Sequence, residues 1–142
     1  MRKIEYILIH DSLPEGSNLR ARHRRDRNSG YHYVVNSEGV VLNPIDIRFV
    51  GQMPLKPHEP NQHLWFESLN DCSIGIQYNG SLANEQKPET KDLKQREALI
   101  NLLVELREHF PTALILGVSE LDRWHTRVSD AMNQLRLELS NL

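Results

Sequence analysis

His10 is the first residue whose type and position suggest chemistry. It directly follows the run 4–9, in which every residue except Glu5 is apolar, and both faces of this run are apolar, as in a strand buried in the middle of a sheet. Every second residue from Ile4 to His10 should lie on one face, with Ile7 and Ile9 on the other. Because open sheets place ligand groups at strand ends, His10 is a candidate metal ligand or catalytic group. The structural alternative is a histidine that hydrogen-bonds to a nearby carbonyl.

A second candidate site is the strongly basic segment 19–27. It carries five arginines around His23, namely Arg20, Arg22, Arg24, Arg25 and Arg27. Arginine forms bidentate hydrogen bonds with phosphates and carboxylates, so the segment predicts a contact surface for such groups, including those of an acidic protein partner. We take the first three arginines as candidate binding residues. The alternative is a solvated short helix or loop, since no aromatic residue interleaves the arginines as a surface for single-stranded nucleic acid requires.

Residues 51–70 form a third candidate region. Pro54, Pro57 and Pro60 recur at a three-residue spacing, which favours an extended, polyproline-like backbone. Two histidines and two aromatic residues lie among them, namely His58, His63, Trp65 and Phe66. These side chains could line a binding groove, with Trp65 as a contact residue. Alternatively, the segment is a stiffened surface loop that its two aromatic side chains attach to the core.

The remaining pattern predicts the elements that must position these residues. The turn sequence Asn36-Ser37-Glu38-Gly39 predicts a hairpin between strands at 30–35 and 40–43. In the first of these strands Tyr31 should share a face with Tyr33, and the histidine between them should point to the other face.

Residues 73–80 alternate between apolar and other side chains and end in a turn sequence. This pattern predicts a strand with Ile74, Ile76 and Tyr78 on one side. Gly75 should allow another backbone or side chain to approach closely.

Two helices and a further strand complete the prediction. Thr90 should cap a helix that ends at Pro111, with an apolar stripe formed by Leu99, Leu102, Leu103, Leu106 and Phe110. Residues 113–117 predict a short buried strand. Ser129 should cap a terminal helix whose inner side carries Met132, Leu135, Leu139 and Leu142. Together these elements predict an α/β fold, a single-domain mixed sheet flanked by helices.

Length and composition narrow the functional classes. The chain has 142 residues, a formal net charge of -2 and a single cysteine, Cys72. We expect one domain spanning residues 1–142, no binding of nucleic acid through bulk charge, and no disulfide or multi-cysteine zinc cluster. The first apolar run is too short for a signal peptide or a membrane span, so we expect a cytoplasmic protein as synthesised, with no membrane partner. Action outside the cell would need a release route.

Five motifs in order along the chain resemble one enzyme family. They are Ile9-His10-x-Ser12, Gly30-Tyr31-His32-Tyr33, Asn36-x-x-Gly39-x-Val41, Asn70-x-x-Ser73-Ile74-Gly75-Ile76 and Leu116-Gly117-x-Ser119-Glu120-Leu121. The chain resembles the type-2 N-acetylmuramoyl-L-alanine amidases, zinc enzymes that include phage lysozyme-amidases and animal peptidoglycan recognition proteins. The resemblance covers nearly the whole chain.

The resemblance implies a zinc site that this sequence only partly retains. The family's first zinc ligand corresponds to His10 and its catalytic tyrosine to Tyr31. The second ligand position is Val118, the cysteine ligand position is Thr126, and a lysine position found in many members is Trp124. Valine has no lone pair, and a threonine hydroxyl is a poor zinc ligand at neutral pH.

The resemblance therefore predicts a degenerate zinc site, with no cofactor retained. Such a protein would bind peptidoglycan fragments (muropeptides) or regulate a protein partner. The alternative is an active zinc amidase with an altered ligand set, in which His125 substitutes as a ligand after a local shift. A carboxylate from Asp11, Glu120 or Asp130 would then complete the site.

Overall fold

The computed structural model describes residues 1–11, 30–55, 68–80, 82, 90–121 and 126–142. Its strands and longer helices are β1 (Tyr6–Asp11), β2 (Tyr33–Val35), β3 (Val41–Leu42), β4 (Ser73–Tyr78), α1 (Thr90–His109), β5 (Leu114–Gly117) and α2 (Thr126–Ser140). Short 3-10 helices at Leu69–Cys72 and Val118–Leu121 lie before β4 and after β5.

The strands form one five-stranded sheet in the order β3-β2-β4-β1-β5. β1 pairs in parallel with both β4 and β5, and β2 is parallel to β4. β3 is antiparallel to β2, as the turn sequence between them predicts. The predicted class, a single-domain mixed sheet flanked by helices, is confirmed. No helix in the described ranges is both long enough and apolar enough to cross a membrane.

Helices cover one face of the sheet, which we call the helix-covered face. Here alternate residues of β1 and β4 pack against the apolar stripes of α1 and α2. The helices contribute Leu99, Leu102, Leu103, Leu106, Met132, Leu135 and Leu139, all buried. Their spacing of three and four residues places them on one side of each helix, so the predicted stripes are confirmed apart from Leu142.

The opposite, loop-covered face carries a smaller apolar cluster formed by Leu8, Tyr31, Met53, Leu55 and Leu69. Gly75 allows the loop segment that covers this cluster to approach the sheet, because a Cβ atom at Gly75 would lie 2.3 Å from Met53 Sδ. Asn70 holds this cover in place: its Oδ1 accepts a hydrogen bond from the Met53 amide at 2.9 Å, and its Nδ2 donates to the Met53 carbonyl at 3.3 Å. The close approach predicted at Gly75 is therefore present.

Two predicted face assignments are wrong near strand ends. Ile4 packs with the helix-covered cluster instead of sharing a face with Leu8. It lies before β1, where the strict alternation of a strand has not begun. Likewise, Tyr31 lies before β2 and joins the loop-covered cluster, whereas Tyr33 packs against the helix-covered one.

Three predictions for the last third of the chain are also wrong. Ser129 does not cap the terminal helix, because α2 already begins at Thr126. Leu142 lies beyond the end of α2 and is 72% exposed. The strand at 113–117 is not buried throughout, because β5 is an edge strand and Leu114 is 58% exposed.

Candidate functional site

The candidate site lies where β1, β4 and β5 end, on the loop-covered face. His10 and Gln77 are paired residues of β1 and β4, and Gln77 is also paired with Val34 of β2. β5 ends at Gly117, which is paired with Ile9, and the chain turns there into the short 3-10 helix that begins at Val118. Paired residues of adjacent strands point to the same face. The site therefore contains a row in the order His10, Gln77, Val34, and Val118 follows the strand on the other side of β1.

His10 and Tyr31 are hydrogen-bonded at this end of the sheet. The bond joins His10 Nδ1 to the Tyr31 hydroxyl. The two rings are tilted by 53° with their centroids 5.9 Å apart. Tyr31 is buried and His10 is partly buried, so the bond sits at the boundary between the loop-covered cluster and the end of the strands. The structure thus brings together the two residues that the motifs assign to the first metal ligand and the catalytic tyrosine.

Gly30 explains how Tyr31 reaches His10 from outside β2. Gly30 has a φ of +74°, and a Cβ atom there would lie 2.3 Å from the Gln52 carbonyl oxygen. This left-handed conformation and close approach favour glycine strongly. The Gln52 amide donates to the Gly30 carbonyl at 2.8 Å, which fixes the backbone immediately before the tyrosine.

His32 is fully buried and has a structural role. The Gly75 amide donates to His32 Nδ1 at 3.0 Å, so the ring proton must reside on Nε2, which donates to the Phe49 carbonyl at 2.7 Å. Burial lowers the pKa of His32, the bond to Phe49 opposes this, and the charge of Arg2 lowers the pKa further. The neutral imidazole therefore links β4 to the loop before Gly51.

Arg2 ties the start of the chain to the same region. Its Nε donates to the Ile47 carbonyl at 3.1 Å, and its two terminal nitrogens donate to the Asp71 carbonyl at 3.2 Å and the Ser73 carbonyl at 2.8 Å. One of these nitrogens also lies 3.0 Å from His32 Nε2. This guanidinium therefore holds together three segments that surround the buried histidine.

Glu120 and Arg136 fix the turn that contains Val118. Glu120 Oε1 accepts hydrogen bonds from the Gly117 amide at 2.9 Å and from Arg136 at 2.7 Å, while its Oε2 accepts from Arg136 at 2.8 Å. Burial raises the pKa of Glu120, but the hydrogen bonds from Arg136 and Gly117 outweigh it and lower the pKa overall. The carboxylate is thus ionised and engaged, and Val118 packs against the loop-covered cluster.

The described residues do not fit a three-ligand zinc site. A catalytic zinc needs three protein ligands and a position for water. No group of three or more His, Cys, Asp or Glu side chains in the described ranges is arranged to hold a metal ion. The side chain of Val118 has no atom that can bind a metal, and His10 Nδ1 is hydrogen-bonded to the Tyr31 hydroxyl. Asp11 Oδ2 accepts a hydrogen bond from the Leu82 amide at 3.1 Å instead of facing an open site.

Several residues predicted for the site cannot be placed in this arrangement. Arg20, Arg22, Arg24, Trp65, Trp124 and His125 lie outside the described residues. Thr126 is the first residue of α2, and the side chains of residues 126–130 are also outside the description. Their predicted roles remain predictions.

The sequence analysis missed Gln77 and the structural role of His32. A signal for Gln77 was present, because the alternation of β4 that puts Ile76 on one face puts its neighbour on the other, beside His10. No comparable signal marks His32, since its partners are backbone groups of Gly75 and Phe49, which are distant in sequence.

The fold and the motif residues together define an amidase-type α/β domain. The profile of the family described as N-acetylmuramoyl-L-alanine amidase matches residues 1–133. The chain belongs to the N-acetylmuramoyl-L-alanine amidase family, and the resemblance carried by the motifs is confirmed. No curated protein sequence matches the chain significantly.

Solved structures of similar proteins have the same fold. The endolysin N-acetylmuramoyl-L-alanine amidase LysCS from Clostridium intestinale is 16% identical, with 86% of this chain and 73% of that chain covered at a TM-score of 0.55. The Ph2119 endolysin from the Thermus scotoductus bacteriophage Ph2119 is 21% identical, with 87% and 76% covered and a TM-score of 0.55. An AmpD derivative is 14% identical, with 83% and 73% covered and a TM-score of 0.54.

Proposed function

We propose that this chain binds peptidoglycan fragments in the groove at the His10 end of the sheet and does not hydrolyse them. Membership of the amidase family supports muropeptides as the ligand class. The loss of hydrolysis is supported by one observation above all: the residue that follows β5, next to the strand of His10, is Val118, which packs against the loop-covered cluster and has no side-chain atom that can bind a metal. The protein would then act as a binding module or as the regulator of a protein partner.

The chemistry of amide hydrolysis supports this proposal. In zinc amidases the metal lowers the pKa of the attacking water and polarises the carbonyl. The described residues offer no three-ligand set for such a metal. A tyrosine alone cannot act as the base that activates water at neutral pH, because a phenol with an ordinary pKa of about 10 is almost entirely protonated there. In a binding protein the Tyr31 hydroxyl instead donates a hydrogen bond to a bound carbonyl.

The test combines metal content, binding and hydrolysis on one preparation. Protein purified without chelators should contain no stoichiometric zinc. It should bind N-acetylmuramoyl-L-alanyl-D-isoglutamine in a calorimetric titration. It should also release no more peptide from purified peptidoglycan than a chelator-treated sample does.

The control variant is Tyr31→Phe, which keeps the ring in the apolar cluster and removes only the hydroxyl. It should weaken binding and leave the background release of peptide unchanged. About one zinc per chain, together with peptide release that Tyr31→Phe abolishes, would overturn the proposal.

The second candidate function is an active zinc amidase that cleaves the bond between the muramoyl lactyl group and L-alanine. It is favoured by the family match, and in it His125 is the substitute zinc ligand. This alternative predicts that His125→Ala removes both zinc and hydrolysis, whereas the leading proposal predicts no change in either.

A further inference from the structure

Gln77 carries a polar atom that the fold leaves without a partner. Its side-chain oxygen Oε1 is buried and accepts no hydrogen bond, although the residue as a whole is partly buried. An acceptor that loses water and gains no donor destabilises a protein. A buried acceptor without a donor at the end of a strand therefore indicates a role in binding and not in stabilising the fold.

The position of Gln77 indicates what that function is. It is paired with His10 on one side and with Val34 on the other, so its side chain leaves the sheet on the face where His10 meets Tyr31. This is the carboxyl end of parallel strands, where ligands bind in open α/β sheets. The unpaired oxygen thus belongs to the same strand end as the His10–Tyr31 pair.

The surroundings define the chemistry of the missing donor. Gln77 is paired with Val34, whose side chain can neither donate nor accept a hydrogen bond, and its Oε1 atom is buried. A buried carboxamide oxygen suits an uncharged N–H group better than a strongly hydrated ammonium, which would lose its water there. The amide N–H of a peptide or N-acyl amino acid has this character.

We propose that Gln77 is a ligand-binding residue whose Oε1 accepts a hydrogen bond from an amide N–H of a bound N-acyl peptide. This inference rests on the proposed function, because it names a contact within the same groove. In this arrangement two residues recognise the amide group. Gln77 accepts a hydrogen bond from its N–H, and the Tyr31 hydroxyl donates one to its carbonyl oxygen.

The test titrates N-acetylmuramoyl-L-alanyl-D-isoglutamine into the intact chain and into Gln77→Met, which keeps a long, unbranched side chain without the acceptor. Binding should weaken about three- to tenfold, as expected for one hydrogen bond. The unfolding midpoint of the variant should be equal to or higher than that of the parent, since an unpaired buried oxygen is removed. The matched control is Ser73→Ala, which alters another buried polar side chain of β4 and should leave binding within about twofold.

A second measurement changes the ligand and uses the same two proteins. The affinities of ligand analogues that each carry an N-methyl group at a single amide should be compared. In one of them, methylation removes the N–H group from which Gln77 accepts a hydrogen bond. One analogue should bind the parent about three- to tenfold more weakly, yet bind Gln77→Met as well as the unmodified ligand does.

The outcomes separate this inference from the proposed function. If the ligand binds the parent and Gln77→Met equally, or if every N-methyl analogue binds the parent normally, Gln77 is no binding residue and the proposed function still stands. A clear loss of stability in Gln77→Met together with unchanged binding would indicate that Oε1 accepts a hydrogen bond from a structural water instead of from the ligand. If neither the parent nor any variant binds the muropeptide, both proposals are wrong.

Discussion

The two faces of the sheet are built in different ways, although they share the same strands. On the helix-covered face, β1 and β4 present isoleucines and Tyr78, with Asp11 at the strand end, and two helices pack on the apolar residues. On the loop-covered face the same two strands present Tyr6, Leu8, His10, Ser73, Gly75 and Gln77. That face is closed by a loop that side-chain hydrogen bonds hold in place. The first face stabilises the fold, and the second leaves polar groups in position for a ligand.

The largest expected effect is a change in zinc content, at the positions where the loop-covered face differs from an active amidase. The triple variant Val118→His, Trp124→Lys and Thr126→Cys restores the family's residues around His10. It should take up about one zinc per chain, because three ligands then converge with room for water. Zinc content after dialysis against buffered zinc measures this. Zinc binding should appear well before hydrolysis does, since ligand orientation depends on outer hydrogen bonds that this chain lacks.

The control for this variant is the same triple change combined with His10→Ala, which should lose the metal again. If the triple variant folds normally and binds zinc no better than the parent, the residue-by-residue correspondence is wrong. His10 would then be an ordinary strand-end histidine.

The next largest effect tests the helix-covered face. Leu103 of α1 is fully buried in its cluster. Leu103→Ala should lower the free energy of unfolding by about 2–5 kcal/mol, because it removes apolar contacts and leaves a cavity. Chemical denaturation monitored by circular dichroism measures the change. The matched control is Leu114→Ala on the exposed edge strand, which should change stability by less than about 0.5 kcal/mol. Equal losses at the two positions would contradict the assigned core.

The smallest effect concerns the buried histidine of the loop-covered face. Because the pKa of His32 is lowered in the folded state, the unfolded chain binds more protons between that pKa and the unfolded value of 6.5. Stability should therefore fall as the pH drops below about 6.5 and level off below the folded pKa. Each pKa unit of difference contributes about 1.4 kcal/mol. The charged groups nearest the ring are Arg2, which lowers this pKa, and Asp46, which raises it.

Denaturation curves recorded from pH 7.5 to pH 5 test this point, with His32→Gln as the variant that cannot titrate. The variant should be less stable at neutral pH and should show a shallower pH dependence than the parent. An identical slope in both proteins would place the titrating group elsewhere.

The sequence allowed the sheet interior and the family to be predicted. Alternation in the long buried strands assigns the faces of Leu8, His10 and Ile76 correctly, because a period of two leaves no freedom once a strand is formed. The stripe on α1 is also correct, since its spacing occurs over several helical turns. These patterns are local, so they can be recognised in the chain itself.

Other features could not be predicted because their causes are distant in sequence. Tyr31 leaves the face of Tyr33 only because Gly30 turns the backbone to meet Gln52. The exposure of Leu114 depends on β5 being placed at the edge of the sheet, which strand order decides. Ser129 resembles a helix cap in sequence, but the helix begins one turn earlier at Thr126.

The Glu120 carboxylate has a consequence for the motions of the molecule. It accepts hydrogen bonds from the Gly117 amide at the end of β5 and from Arg136 in α2, and Arg136 also donates to the Ile115 carbonyl at 3.0 Å. We therefore expect the helix and the strand end to open as one cooperative unit, with shared amide hydrogen exchange. A ligand that rests on Val118 would slow exchange in α2 as well, so occupancy of the groove can be followed on the amides of a helix beside it.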